Sequence, residues 1–114
     1  MFGRKAVYVA SATRKEGPMY AVVRTYSGEG AEKLFDLLED REEDVTALIS
    51  GVPGFASYAA VRSGDGGVTV TVCEDKAGTD ESSRRAAQWV AENVSSTAAP
   101  PAITEGSTVL QFTS

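Results

Sequence analysis

Two arginines and two tyrosines placed in apolar runs supply most of the chemistry that this sequence offers. Arg24 and Tyr26 lie two residues apart in the run YAVVRTY, and Tyr58 and Arg62 lie four residues apart in the run SYAAVRS. A guanidinium group can bind an anion or stabilise an oxyanion, and a tyrosine hydroxyl can relay a proton. We therefore predict that Arg24 and Arg62 hold an anionic group and that Tyr26 or Tyr58 moves a proton.

The residues that are missing restrict this chemistry further. The sequence has no histidine and one cysteine, Cys73. This composition excludes His-ligated zinc, His-ligated haem, Ser-His and Cys-His nucleophiles, and an internal disulfide. We therefore expect no metal site and no cofactor. Glu74 and Asp75 disfavour the thiolate, so that Cys73 is expected to be a shielded thiol rather than a nucleophile.

Length and charge indicate one domain that binds neither nucleic acid nor membrane. The chain has 114 residues and a net charge of −5, whereas a nucleic-acid binder normally presents a basic surface. No apolar run approaches the ~20 residues of a membrane helix, and the single cysteine fits a cytoplasmic protein. Residues 1–18 carry four basic residues and one acidic residue. We predict that they form a flexible leader or a non-native extension, with an edge strand at 6–9 as the alternative, and that 19–114 form the domain.

Hydrophobic periodicity predicts the element order strand, helix, strand, strand, helix, strand. Residues 20–26 and 108–112 have the β-branched and aromatic composition of strands. Apolar residues recur at helical spacing over 30–50, and we predict one long helix that ends at a left-handed cap on Gly51. A second helix is expected from Thr79 to Val94. Two β-α-β units of this kind predict an α+β, ferredoxin-like βαββαβ sandwich, in which two helices cover one face of a four-stranded antiparallel sheet.

The central hairpin has two faces of different character. With Asp65-Gly66 as a two-residue turn, Val61 lies opposite Val70, and valines and alanines fill one face. We predict that this aliphatic face packs under the helices, because burying an arginine there would be costly. The helix-free face then carries Arg24, Tyr26, Tyr58, Arg62, Thr69, Thr71 and Cys73. This composition favours a partly buried surface with water or a ligand against it, and an ordinary solvated sheet face is the alternative.

The sequence also resembles a known family. The segments MYAVVRTYSGEG and GVPGFASYAAVRSGDGGVTVTVCED, followed by a helix carrying AAQWV, are similar to the antibiotic-biosynthesis-monooxygenase-like group of dimeric α/β-barrel proteins. The resemblance covers roughly residues 19–112. It implies a homodimer in which two sheets face each other across a closed barrel, so that the helix-free faces line a cavity.

The resemblance also carries implications about activity. The haem-degrading branch uses a helical histidine, which this chain lacks, and we exclude that activity. Members with cofactor-free oxygenase chemistry act on reduced polycyclic phenols with Trp, Asn, Tyr and Arg in the cavity. Trp89 matches their tryptophan, with packing at the helix edge as its alternative role, whereas Arg85 occupies the position expected for the asparagine.

These arguments lead to one functional prediction. We expect a cytoplasmic homodimer that binds a small aromatic or anionic organic molecule between its sheets and acts as a cofactor-independent monooxygenase. The alternative is a non-catalytic ligand-binding or accessory dimer. RNA recognition is excluded because the third strand, VTVTVCED, lacks the stacking aromatics it needs. The candidate catalytic residues are Tyr58, Tyr26 and Trp89, and the candidate ligand-binding residues are Arg24, Arg62, Thr69, Thr71 and Cys73.

Overall fold

The computed structural model describes residues 18–113, which form a four-stranded antiparallel sheet and three helices. The elements in chain order are β1 (Tyr20–Tyr26), α1 (Ala31–Asp40), α2 (Glu42–Ser50), β2 (Phe55–Ser63), β3 (Gly66–Cys73), α3 (Lys76–Asn93) and β4 (Ala102–Ser107). The strand order across the sheet is β2-β3-β1-β4, and all neighbouring strands are antiparallel. This arrangement confirms the predicted ferredoxin-like α+β fold.

The predicted long helix is in fact two helices. The backbone leaves helical geometry at Arg41, where φ is −115° and ψ is 37°. The break falls in the acidic segment 39–44, where no apolar contact holds the helix straight. Val45 returns in phase seven residues after Leu38, which is why the sequence pattern does not reveal the interruption. The break gives α1 and α2 separate buried faces, carried by Leu34 and Phe35 in α1 and by Val45 and Ile49 in α2.

The end of α2 also differs from the prediction. Gly51 has a φ of −80° and is right-handed, so the predicted left-handed cap is wrong. The Arg85 guanidinium donates a hydrogen bond from Nη1 to the carbonyl oxygen of Leu48 at 2.8 Å. A side chain from α3 therefore satisfies one of the carbonyl groups that a left-handed cap would otherwise serve.

The hairpin turn lies one residue earlier than predicted. Ser63 pairs with Gly66 and Val61 pairs with Val68, so Gly64 and Asp65 form the loop. Gly64 has a φ of 59°, which favours glycine. Gly67 is needed inside the sheet, because a Cβ atom there would lie 2.7 Å from Cζ of Phe35. The pairing therefore differs by two residues from the predicted register. A shift of two residues does not change which side chains share a face of the hairpin.

The helices cover the opposite face of the sheet from the one we predicted. The buried strand residues beneath them are Val22, Arg24, Tyr26, Thr69, Thr71 and Cys73. We call this side the helix-covered face and the other side the helix-free face. The helix-free face carries Val23, Val68, Val70 and Val72, which are half-buried, and Val61, which is exposed. The predicted cost of burying an arginine is offset by hydrogen bonds that the sequence did not reveal.

The last strand also differs from the prediction. β4 runs from Ala102 to Ser107, with Ser107 paired to Tyr20 at the start of β1. Thr108 still donates its N–H to the carbonyl oxygen of Met19 at 2.8 Å. The predicted strand was 108–112, but residues 109–112 lie beyond the first residue of β1 and have no strand partner within 18–113.

The core lies between α1, α3 and the helix-covered face. Tyr26, Ala31, Leu34 and Phe35 form a buried cluster. Leu38, Trp89, Val90 and Val94 pack around it. Within the described range, no helix is both long and apolar enough to cross a membrane. The prediction of a leader at 1–18 falls almost wholly on residues 1–17, which lie outside the described residues.

Candidate functional site

Arg24 lies at the centre of the helix-covered face and is only 1% exposed. All five N–H donors of its guanidinium group have a hydroxyl acceptor within range. Nη1 donates to Oγ1 of Thr69 at 3.3 Å and to Oγ1 of Thr71 at 3.1 Å. Nη2 donates to Oγ of Ser82 at 2.6 Å and to Oγ of Ser83 at 3.1 Å, and Nε donates to Oγ of Ser83 at 3.3 Å. We call these four hydroxyl residues the hydroxyl cage.

Two elements build this cage around one strand. Antiparallel pairing places Thr69 directly opposite Arg24, and Thr71 lies two residues further along the same face of β3. Ser82 and Ser83 come from α3, which begins after an N-cap at Asp75. The buried residues of α3 include Gly78, Thr79 and Ser82, all of them small. Small residues let the helix approach the sheet closely enough for its hydroxyl groups to reach Arg24.

The two serines were missed by the sequence analysis. We assigned the buried stripe of this helix to alanines and valines. Thr79, Ser82 and Ser83 occur at helical spacing one to two turns before Ala86. When small hydroxyl residues continue the buried apolar stripe of a helix, their hydroxyl groups need a buried hydrogen-bond partner. This pattern would have indicated that Arg24 faces the helices.

Within residues 18–113 no carboxylate forms a salt bridge with Arg24, although the charge of Glu105 on β4 acts to raise its pKa. The hydrogen-bond acceptors of Arg24 among residues 18–113 are all neutral hydroxyl oxygens. Burial lowers the pKa of Arg24, and the neighbouring Tyr26 and Tyr58 oppose that shift. Arginine stays protonated even in unfavourable surroundings. The site therefore holds a buried positive charge that is solvated by hydroxyl dipoles rather than neutralised.

Tyr26 and Tyr58 lie close to this charge. Burial raises the pKa of both hydroxyl groups, while the Arg24 charge and a hydrogen bond from Thr69 act in the opposite direction. Both tyrosines are therefore protonated at neutral pH. They can donate a hydrogen bond or a proton, but they are not bases under these conditions. The Tyr26 ring also packs edge-on against Phe35, with ring centroids 6.2 Å apart.

Two hollows lie on either side of Tyr26. The larger has a volume of about 340 Å³ and lies between α3, the loop 94–101 and β4. Its lining includes Arg24, Tyr26, Ser83, Val90 and Ile103.

 The pocket between α3 and β4 is distinct from a third, open hollow of about 380 Å³ beside Arg62. We call the former the α3–β4 pocket. Its size lies within the range of small-molecule sites.

The second hollow beside Tyr26 is much smaller. It lies between the sheet and the helices, where Tyr26, Tyr58, Thr69 and Trp89 contribute to its wall, and it has a volume of about 20 Å³. That volume accommodates about one water molecule. An organic ligand therefore fits the α3–β4 pocket in this conformation and does not fit the inner hollow.

Trp89 and Arg85 have packing and capping contacts. Trp89 is half-buried against the core cluster, which agrees with its alternative role at the helix edge. Arg85 donates from Nε to Glu81 at 2.9 Å and from Nη1 to the end of α2. Neither residue is among those lining the α3–β4 pocket.

The structure separates Arg62 from the other candidates. Arg62 is exposed at the edge strand β2 and forms ion pairs with Asp36 at 2.8 Å and Glu39 at 3.2 Å, both on α1 of the same chain. Hydrogen bonds to these carboxylates raise the pKa of Arg62. Arg62 is therefore engaged with carboxylates of α1, and Arg24 is the cation beside the tyrosines.

Cys73 is fully buried on the helix-covered face. Burial raises the pKa of its thiol, and the nearby Asp75 adds to that shift. Both effects disfavour the reactive thiolate. Among residues 18–113, no group of three or more Cys, Asp and Glu side chains is placed to hold a metal ion.

Comparison with known proteins finds similarity in structure and not in sequence. No family model matches the chain, and no curated protein is detectably similar to it. A protein of unknown function from Nitrosomonas europaea, NE2512, has a similar structure, with a TM-score of 0.59 and 20% identity over 85% of this chain and 94% of that one. SnoaB, a cofactor-independent oxygenase from Streptomyces nogalater, has a TM-score of 0.52 and 17% identity over 85% of this chain and 97% of that one.

These likenesses cover almost the whole length of both solved proteins and most of the described sheet and helices. At 17–20% identity they establish the fold and leave the activity open. They support the resemblance that the sequence predicted. The chain therefore has the fold of the antibiotic-biosynthesis-monooxygenase-like proteins.

Proposed function

We propose that this protein binds a flat organic anion, such as a phenolate or an aromatic carboxylate, in the α3–β4 pocket and acts on it as a cofactor-independent oxygenase. The observation that carries the proposal is Arg24, a buried cation that forms no salt bridge within residues 18–113 and lies at the wall of a pocket of ligand size. The pocket lies beneath the helices of one chain, and not between two facing sheets as the sequence analysis expected.

An anionic ligand would supply the missing counter-charge. Charges interact more strongly in a buried site than in water, because the effective dielectric constant is lower. Ser83 both accepts hydrogen bonds from Arg24 and lines the pocket. Its hydroxyl proton is then free to point toward a ligand. Because Arg24 polarises this hydroxyl group, Ser83 becomes a stronger hydrogen-bond donor to an anion.

The likeness to SnoaB supports the oxygenase part of the proposal. In a reaction without a cofactor, the organic substrate itself must reduce O₂, and it does so as a phenolate or carbanion. Oxidation of a methylene group, CH₂ + O₂ → C=O + H₂O, balances with the substrate as the only reductant. Arg24 would favour ionisation of the substrate, and the protonated Tyr26 would donate a proton to the reduced oxygen.

A non-catalytic ligand-binding protein is the second candidate. The five N–H donors of Arg24 are already matched by the hydroxyl cage, and both nearby tyrosines are protonated at neutral pH. These features favour binding of a ligand that is already ionised, without a base to start a reaction.

We also propose that the protein is a homodimer, joined through the helix-free faces. The strand register places no charged residue on that face of β1, β2, β3 or β4 within 18–113. Two copies can therefore meet there without like-charge contacts, although each chain carries a net charge of −5. A permanent interface of this type buries more than ~2,000 Å² in total.

The binding proposal is tested with aromatic acids and their neutral amides. Calorimetry would compare wild type, Arg24→Gln and the matched control Arg62→Gln, whose arginine is paired on the surface. Loss of the buried charge should weaken the binding of acids about 10- to 100-fold in Arg24→Gln, while Arg62→Gln and all amides change little. Ser83→Ala, which keeps Arg24, provides a milder variant. Equal affinity of acids and amides for wild type would contradict the proposal.

Oxygen consumption separates the two candidate functions. Reduced polycyclic phenols are first tested for binding by the same calorimetry. A phenol that binds is then mixed with the protein in air-saturated buffer, and O₂ uptake is followed with an electrode. If the protein is an oxygenase, O₂ consumption should require the protein and should be slower in Tyr26→Phe and Arg24→Gln. Tight binding without O₂ uptake by any bound phenol would instead favour the ligand-binding protein.

A further inference from the structure

The inner hollow beside Tyr26 is small and mainly apolar. Its volume of about 20 Å³ accommodates one water molecule or one diatomic gas molecule of similar size. Leucine, valine and isoleucine side chains of α1 and α2 form one part of its wall, and Ala86, Trp89 and Val90 of α3 form another. A molecule in this space therefore meets hydrocarbon on its helix side.

The hydroxyl groups on the sheet side of the inner hollow already have partners. They belong to Tyr26, Tyr58 and Thr69. Thr69 accepts a hydrogen bond from Arg24 at 3.3 Å and is hydrogen-bonded to both tyrosines. Within residues 18–113, no buried side-chain nitrogen or oxygen atom lacks a hydrogen-bond partner. Internal waters usually serve polar groups that have no other partner, whereas apolar cavities bind apolar guests such as xenon. The inner hollow therefore suits a small apolar molecule better than water.

The inner hollow has an outer neighbour at the break between α1 and α2. Leu38, Val45 and Tyr58 line both the inner hollow and the open hollow of about 380 Å³ beside Arg62. Leu38 lies before the break and Val45 lies after it, so the boundary between the two spaces lies where the helices separate. Leu38 and Tyr58 are half-buried. Side chains near the surface change rotamer rapidly, and such a change would open a path for a small molecule.

The inner hollow has an inner neighbour in the α3–β4 pocket. Tyr26 and Val90 line both spaces. Tyr26 is also the residue to which the proposed function assigns the proton that reduced oxygen receives. The open hollow, the inner hollow and the α3–β4 pocket therefore form a row that leads from the surface to the bound organic anion.

The surface end of this row disfavours anions. Glu39 and Glu42 line the open hollow, and Arg62 is shared between Glu39 and Asp36. Among these four side chains, one arginine faces three carboxylates, and the remaining negative charge repels an anionic substrate. O₂ carries no charge and is not repelled. The organic anion and O₂ therefore have different approaches, the anion at the α3–β4 pocket and O₂ at the helix break.

We propose that the inner hollow is a binding site for O₂, which enters through the open hollow at the helix break and passes Tyr26 into the α3–β4 pocket. This inference rests on the oxygenase of the proposed function, which consumes one O₂ for each methylene group that it oxidises. The inner hollow holds O₂ beside the proton donor Tyr26 while the organic anion occupies the α3–β4 pocket. The two substrates therefore do not compete for one space.

The paramagnetism of O₂ provides the first test. Methyl ¹³C NMR spectra of the full chain are recorded under elevated O₂ pressure and, as the diamagnetic control, under the same pressure of N₂. Methyl signals of Leu34 and Ile49, which line the inner hollow, should broaden more under O₂ than those of Val22, which is equally buried and does not line it. Equal broadening of all three residues would overturn the site.

Filling the inner hollow provides the second test. Ala86→Leu enlarges a side chain in its wall, Ala86→Val is a smaller change at the same position, and Ala47→Leu, at an exposed position of α2, is the matched control. The selective broadening should be lost in the Ala86 variants and kept in Ala47→Leu. The KM for O₂ should rise about 10-fold or more in Ala86→Leu, with little change in the KM for the phenol. Folded Ala86 variants with unchanged broadening and an unchanged KM for O₂ would overturn the site.

The site and the oxygenase proposal fail in different ways. Selective broadening at the inner hollow without O₂ uptake in the electrode experiment would support the site and contradict the oxygenase. O₂ uptake without selective broadening would support the oxygenase and overturn the site.

Discussion

The two faces of the sheet carry side chains in the opposite arrangement from the usual one. On the helix-covered face, Arg24, Thr69 and Thr71 are buried together with Tyr26 and Cys73. On the helix-free face, five valines are only half-buried or exposed, at positions 23, 61, 68, 70 and 72. Apolar side chains are normally found inside and charged ones outside. The comparison indicates that the described chain has two interiors, one completed by its own helices and one left for another surface.

The difference also shows what each face requires. A polar interior needs hydrogen-bond partners at defined positions, which α3 supplies from the same chain through Ser82 and Ser83. An aliphatic interior needs only a surface of matching shape and no charge, which a second copy can supply. Covering the polar face within the chain gives the buried charge its hydrogen-bond partners without a second chain.

The largest effect is expected where the helix-covered face is most tightly packed. A Cβ atom at Gly67 would clash with the backbone carbonyl oxygen of Val61 and lie 2.7 Å from the Phe35 ring, whereas a Cβ atom at Gly106 on the helix-free face meets nothing within 4 Å. Gly67→Ala should therefore lower the free energy of unfolding by about 3 kcal/mol, and Gly106→Ala should change it by less than about 0.5 kcal/mol. Urea denaturation of both variants measures the difference. Equal stabilities would show that α1 does not pack as closely on β3 as described.

The buried arginine should give the second-largest effect. Arg24→Met removes the N–H groups that donate hydrogen bonds to the hydroxyl cage. We expect a loss of about 2 kcal/mol in the free energy of unfolding. Thr25→Met, on the neighbouring exposed position of the same strand, should cost less than about 0.5 kcal/mol. Adding Thr69→Val and Thr71→Val to Arg24→Met should recover part of the loss. An Arg24→Met variant as stable as wild type would mean that the cage contributes nothing to folding.

A smaller effect is expected from the titration of the buried tyrosines. Because the pKa of Tyr26 and Tyr58 is raised in the folded protein, tyrosine ionises first in the unfolded chain as the pH rises. Their contribution to stability is therefore complete below the usual tyrosine pKa of about 10 and is lost as the pH rises through the folded values. Denaturation between pH 8 and 11 would measure the slope, in a Cys73→Ser background that removes the thiol titration. Tyr26→Phe and Tyr58→Phe should each flatten it, and an unchanged slope in both variants would contradict the burial described.

The smallest effect is expected at the exposed rim. Arg62 pairs with Asp36 and Glu39 on the surface, where ion pairs contribute little. Arg62→Gln should lower Tm by no more than about 2 °C at low salt, and the difference should disappear at high salt. A large loss of stability would show that this arginine has a structural role that its exposure does not indicate.

The sequence predicted the element order and the fold, and several residue positions were still wrong. The helix break at Arg41 was missed because the apolar spacing passes through it without a change of phase. The final strand was placed at 108–112 because TVLQF has a stronger strand composition than AITEGS. Tertiary pairing with β1 selected 102–107 instead, since those residues reach the strand after the loop that follows α3.

For the candidate site, the sequence predicted which residues share a face. Alternation along β1 and β3 placed Arg24, Tyr26, Thr69 and Thr71 together, and a register error of two residues left that grouping intact. The sequence did not predict that Arg62 pairs with α1, because strand alternation says nothing about which helix passes above the edge of the sheet. It also did not identify Ser82 and Ser83, which take part only because α3 approaches β1 closely.

The sequence by itself therefore determined the order of the elements and the division of the strands into two faces, because both follow from local periodicity. The tertiary structure decided which face the helices cover. That choice depends on contacts between residues far apart in the chain, such as the hydrogen bonds from Arg24 to Ser82 and Ser83, 58 and 59 residues away, and the space beside Gly67 that the Phe35 ring occupies. Alternation of side chains with a period of two residues specifies that the two faces of the sheet differ. Only the element that packs on each face determines which face is buried.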